Sequence, residues 1–166
     1  MALTKSTLPG LPPTIASPYD TLQAFALSQT ITTSGYANNV NTQLNIGPGR
    51  FDGIWTINVT AVYMTSSDET YKMYLLGSND QAWGSGNIDI LAAYDIAATA
   101  GLRTLATICA ATPAIPPTGL TAMRIVRPFL NQTDAYVFQY QQMYVATAGT
   151  TPSITLSSWI SSDELG

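Results

Sequence analysis

The sequence predicts an all-β protein: an antiparallel β-sandwich of the jelly-roll type, with about eight strands and an extended N-terminal arm. Three observations predict it. Short apolar runs alternate with polar residues at a period of two, as half-buried strands do. Gly, Pro or Asn bounds almost every run. No internal repeat, heptad or helical pattern longer than about two turns competes with that reading.

Residues 1–20 contain Pro9, Pro12, Pro13 and Pro18, with Gly10 among them. Prolines at this density forbid helix and favour a polyproline-like path, so 1–20 is read as an arm and 21–166 as the sandwich domain. Residues 21–32 lean towards strand. Residues 34–43 form a Gly/Asn-rich loop, and 44–46 a strand fragment closed by Gly47-Pro48-Gly49. The stretch 49–79 reads as a central hairpin. Trp55, Ile57, Val59, Ala61 and Tyr63 alternate with Thr56, Asn58 and Thr60, which predicts one buried face and one wet face. Ser66, Ser67, Asp68 and Glu69 then make a solvated turn before the return strand at 71–76.

A glycine-rich loop (77–87) precedes a short strand at 88–92. Residues 93–101 fit a helical turn or a loop, 102–109 a strand, and the proline-rich 110–119 a loop. A strand at 120–127 is expected to end at Pro128. The longest strand, 135–147, places Tyr136, Phe138, Tyr140 and Tyr144 on one face. The last, 151–161, turns Ile154, Leu156 and Ile160 one way and Trp159 the other.

Composition narrows the function. Charged residues are 10% of the chain, against about 25% in a typical domain, and Ser, Thr, Asn and Gln supply the missing polarity. A surface with so little charge repulsion suits a protein packed against others. Six basic residues, none adjacent, against ten acidic ones give a net charge of −4, which argues against nucleic-acid binding. The start has no continuous apolar run and no stretch reaches the roughly 20 apolar residues of a membrane span, so cytoplasmic synthesis without a signal peptide or membrane anchor is expected. The single cysteine, Cys109, reads as a small buried hydrophobe.

Catalytic patterns are thin. With no histidine, Ser-His-Asp and Cys-His arrangements are impossible and the commonest metal ligand is missing. Asp52, Asp80, Asp89 and Asp95 are nominal acids, but no spacing selects a pair. Asn79-Asp80 and Asn87-x-Asp89 read as Asx turns rather than a calcium loop. No enzyme activity, cofactor or metal is expected. The competing reading is a carbohydrate- or receptor-binding β-sandwich module, for example on a fibre. In it Trp83, in the glycine-rich loop, would be the exposed ring, with Tyr36, Tyr94 and Asn38 beside it.

Four segments together, LNIGPGRFDGIWTINVTAV, SSDETYKMYLLGSND, RIVRPFLNQTDAYVFQYQQMYV and AGTTPSITLSSWIS, resemble the capsid decoration (cement) proteins of tailed bacteriophage heads. The likeness spans roughly 44–160 and omits the proline-rich start. It implies a short jelly-roll on the outside of an icosahedral shell, bound to the major capsid protein and self-associated as a dimer or trimer. No catalytic residue carries over. The implied location is the virion exterior, and the contacts expected from this reading are Leu8, Leu11, Pro12 and Ile15 of the arm and Trp83 of the loop.

Overall fold

A computed structural model of the chain describes residues 21–84, 88–98 and 122–162. The arm at 1–20, Cys109, the strand expected at 102–109 and the connector at 110–119 lie outside the described residues. A single 3-10 turn, Thr21–Gln23, leads into the strands β1 (Ala24–Ile31), β2 (Gly35–Tyr36), β3 (Leu44–Asn45), β4 (Asp52–Val62) and β5 (Thr70–Ser78). After them come β6 (Ile88–Ala97), β7 (Met123–Leu130), β8 (Tyr140–Ala148) and β9 (Ile154–Ser162).

These strands form two antiparallel sheets. One has the order β1-β9-β4-β7; the other is β2-β8-β5-β6, with β3 also paired to β8. Because β2 meets Tyr144 and Val145 while β3 meets Tyr140 and Gln141, the two are pieces of one interrupted edge strand. Counted so, the first strand pairs with the last and the order is that of a jelly-roll. The core lies between the sheets. Phe25, Trp55, Ile57, Leu156 and Ile160 pack from one side against Tyr71, Met73, Leu75, Met143 and Val145 from the other.

The stretch 49–79 is not a hairpin. β4 pairs with β7 and β9, and β5 with β6 and β8, so the link between β4 and β5 crosses from one sheet to the other. Alternation alone cannot reveal this, because both strands point one face into the same core. Tyr71 fixes the crossing. Its phenol donates to the Tyr63 carbonyl at 2.6 Å and accepts from the Ser153 N–H at 2.9 Å, joining the β4–β5 link to the β8–β9 link. Burial pushes the Tyr71 phenol above its ordinary pKa.

The alternation in β4 also breaks. Trp55, Ile57 and Val59 are buried, but a register shift between Val59 and Ala61 reverses the faces, leaving Ala61 and Tyr63 exposed and burying Val62. Nor is the other face uniformly wet: Thr56 is fully buried between Val126 and Trp159 of the adjoining strands. Glu69, expected in solvent, is buried beneath the β8–β9 turn. One of its carboxylate oxygens accepts from the Ser66 N–H at 3.1 Å.

Its neighbour Asp68 stays outside and accepts from the Thr150 hydroxyl at 2.7 Å and the Thr150 N–H at 3.2 Å. Those two bonds, the hydroxyl's first, hold its carboxyl below the ordinary value of 3.8. A depressed carboxyl adds stability that is complete above the unfolded-state value and fades as pH falls through the lower folded one. Below about pH 4, Asp68→Asn is therefore expected to flatten the acid limb of the stability curve, measured by urea unfolding at stepped pH. An unchanged limb would show that the Thr150 contact does not hold in solution.

Three further boundaries differ from the sequence reading. β6 continues through residues 93–97, where a helical turn or loop was expected, because β5 offers a ladder partner as far as Thr70. β7 runs through Pro128 instead of stopping there. Pro128 sits opposite Ile54 in a strand that pairs with β4 alone among the described residues, so the missing N–H can face away from the ladder. β8 begins at Tyr140, leaving Phe138 buried and Tyr136 exposed in the preceding loop, while Tyr140 and Tyr144 share the outer face.

Gln141 is a buried amide with both polar atoms unpartnered among the described residues. It lies between Leu44 and Gly77 in the ladder. A buried group of this kind bears its full desolvation cost. Gln141→Leu is expected to raise the unfolding free energy by about 1 kcal/mol or more, read from chemical denaturation. A loss of stability would show that the amide is satisfied in solution, for example by an internal water.

Candidate functional site: the loop end of the sandwich

The chemistry of the folded domain gathers at one end, where the loops around 41–51, 79–84 and 131–139 meet. Amide side chains make most of the links between them. Asn131 is the centre. Its Oδ1 accepts from the Phe51 N–H at 2.6 Å, and its Nδ2 donates to the Gly49 and Phe138 carbonyls, each at 2.9 Å. Its own backbone donates to the Phe51 carbonyl and accepts from the Phe138 N–H. Asn79 does similar work, donating to the Val137 carbonyl at 2.8 Å and accepting from the Gln139 N–H at 2.9 Å, which carries the β5–β8 pairing past the end of the strands. Gln139 in turn donates to Asn45, which also caps the Gly47 N–H.

Trp83 belongs to this end. Asp80 shapes its loop, one carboxylate oxygen accepting from the Ala82 N–H and the other from the Gly84 N–H, each at 2.9 Å. The turn places Trp83 at φ +54°, a left-handed conformation uncommon for a large side chain. The indole is half-buried and folds back over the domain, its Nε1–H donating to Gln43 Oε1 at 2.7 Å.

Gln43 also lines a cavity of about 460 Å3, where the amides Gln23, Asn41 and Asn45 stand among Leu22, Leu44, Ile46, Phe51 and Ile160. Leu22, in the turn that joins the arm to β1, is 79% exposed at its edge. Leu22, at the start of the described chain, and Gln43, the hydrogen-bond partner of Trp83, thus line the same cavity. Leu8, Leu11, Pro12 and Ile15 lie outside the described residues. Sequence reasoning did not find Gln43 or Leu22; an amide opposite an indole and one exposed leucine leave no pattern.

The aromatic set of the carbohydrate reading does not assemble around Trp83. Tyr94 is 4% exposed, with the Arg127 guanidinium 5.1 Å above its ring, at the flank where β6 faces β7. Tyr36 packs edge-on against Tyr144 on the outer face of the second sheet, their planes at 74°. Among the described residues no three acidic or cysteine side chains group to hold a metal ion, and no helix is long and apolar enough to cross a membrane. Compared with protein-family models, curated proteins and solved structures, the chain matches none.

Proposed function

We propose that the protein is a structural component of a virus particle: a capsid decoration protein that binds the outer surface of a tailed-phage head and ties neighbouring major capsid protein subunits together. The observation that carries this reading is the cavity that Leu22, at the foot of the proline-rich start, shares with Gln43, the residue on which the Trp83 indole is held. Among the described residues no charged side chain lines that cavity, so contacts made there depend little on salt. An arm rooted beside it supplies a second attachment, and many weak contacts repeated by symmetry then sum to firm retention. The likeness of the four quoted segments to decoration proteins supports the same role.

Cryo-electron microscopy of heads assembled with and without the chain tests the reading. Added density on the shell, with greater resistance of the head to heat, is expected; no density and equal resistance would overturn it. Deleting residues 1–18 should leave a folded domain with lower occupancy on the shell, and undiminished occupancy would remove the arm from the proposal. Trp83→Gly keeps the left-handed turn while deleting the indole, and should also lower occupancy. Glycan-array binding by the intact chain, lost in that variant, would favour the carbohydrate reading instead.

A further inference from the structure

The two sheets part at the flank where β6 faces β7. A cleft of about 480 Å3 opens there, lined by Ile90, Leu91, Pro128, Phe129 and Leu130, with Asp52 at one end. Leu91 and Phe129 turn inward towards the core, whereas Ile88 and Ile90, on either side of Asp89 in the strand, turn to the outer face of the second sheet, 45% and 56% exposed. Over residues 88–92 the only ladder partner among the described residues is β5, and the other backbone edge has none among them.

The other sheet edges are blunted in ways that discourage strand addition. β7 carries Pro128 and the exposed Arg124. β1 has two register shifts and the left-handed Ser28 at φ +48°. The β2 and β3 edge is cut into two-residue pieces. Residues 88–90 have neither proline nor basic residue, and their one charge, Asp89, sits opposite Gly77 on the cleft side of the sheet without an ion-pair partner among the described residues.

We propose that this cleft receives residues 1–8 of a second copy of the chain, added as a strand along residues 88–90. That head, MALTKSTL, is free of proline, so every residue after the first can donate its N–H to a ladder. In an extended strand Leu3 and Lys5 share one face, which sets Leu3 into the cleft and Lys5, the only basic residue of the arm, beside Asp89. The spacer behind it, 9–20, holds Pro9, Pro12, Pro13 and Pro18. At about 3.1 Å per residue a proline-stiffened spacer of this length spans roughly 37 Å, more than twice the radius of gyration of about 15 Å for such a domain, and carries the head away from its own body. The inference rests on the assembly reading above only in that copies of the chain meet.

A spin label at Ser6→Cys, in full-length chain with Cys109→Ser, is mixed with nitrogen-15-labelled chain carrying no spin. Broadening of the amide signals of residues 88–91 and of Leu130 in the second copy is expected, and it should vanish when that copy carries Ile90→Glu. A synthetic peptide of residues 1–8 bearing the label gives the same readout without altering Cys109. Lys5→Glu should weaken the association about two- to five-fold, and Asp89→Lys in the receiving copy should restore it. Broadening only elsewhere in the second copy, or nowhere, overturns the proposal. If shell occupancy still depends on the chain in that case, the decoration role stands and this contact alone falls.

Discussion

Asn131→Ala is expected to lower the unfolding free energy by about 3–5 kcal/mol, one of the largest effects of any single substitution in the domain. The side chain is fully buried and makes three hydrogen bonds, all to backbone groups of other segments. Alanine orphans the Phe51 N–H and the Phe138 carbonyl in apolar surroundings, each at about 1–3 kcal/mol, while the Gly49 carbonyl lies nearer solvent. Asn131→Asp separates the parts. It keeps an acceptor for Phe51 but loses both donations, and it should be at least as destabilising because it buries a carboxylate against two carbonyls. Urea unfolding of both variants checks this. A cost near zero would mean that the loops at this end are not organised by Asn131. The same burial keeps its amide from any glycosylating enzyme, so the Asn131-Gln132-Thr133 sequon is silent in the folded chain.

Gly149→Ala should cost about 2–5 kcal/mol, through strain and collision together. Gly149 lies at φ +115°, a conformation that L side chains rarely adopt. A methyl group there meets Glu69 Cα at 2.7 Å and the Asp68 carbonyl oxygen at 2.9 Å, both backbone atoms that cannot swing aside. The turn must move, and with it the Asp68–Thr150 bonds and the cover over Glu69. Thermal unfolding should show a lower midpoint, and exchange of the Ser66 and Thr150 amides should quicken. A variant of native stability would show that the two links do not press together as described.

Much of the fold was legible because strand alternation and glycine or proline boundaries are local signals. β1, β3, the inner face of β4 up to Val59, and β9 with Ile154, Leu156 and Ile160 turned inward all follow from them. What failed was non-local. Nothing within 49–79 says that β4 finds β9 while β5 finds β8, since each partner lies more than sixty residues away. The bulge after Val59 depends on the β9 register, and the passage of β7 through Pro128 on its place beside β4 alone. The candidate site was half legible. Trp83 stood out by composition, whereas Gln43, Asn79 and Asn131 resemble any other amide in a chain rich in them; only the segments they join make them structural.

The placement of β1 has a mechanical consequence. The short turn Thr21–Gln23 leads into β1, whose first residue, Ala24, pairs with Trp159 near the end of β9, and β9 is itself clamped by β4. Ladder hydrogen bonds lie perpendicular to the strands, so a pull on the arm along β1 loads them together in shear, not one after another as in peeling. A protein held by its arm on an expanding surface would resist through the full length of β1, and the register shifts at Ala26 and Gln29 mark where the strand would yield first.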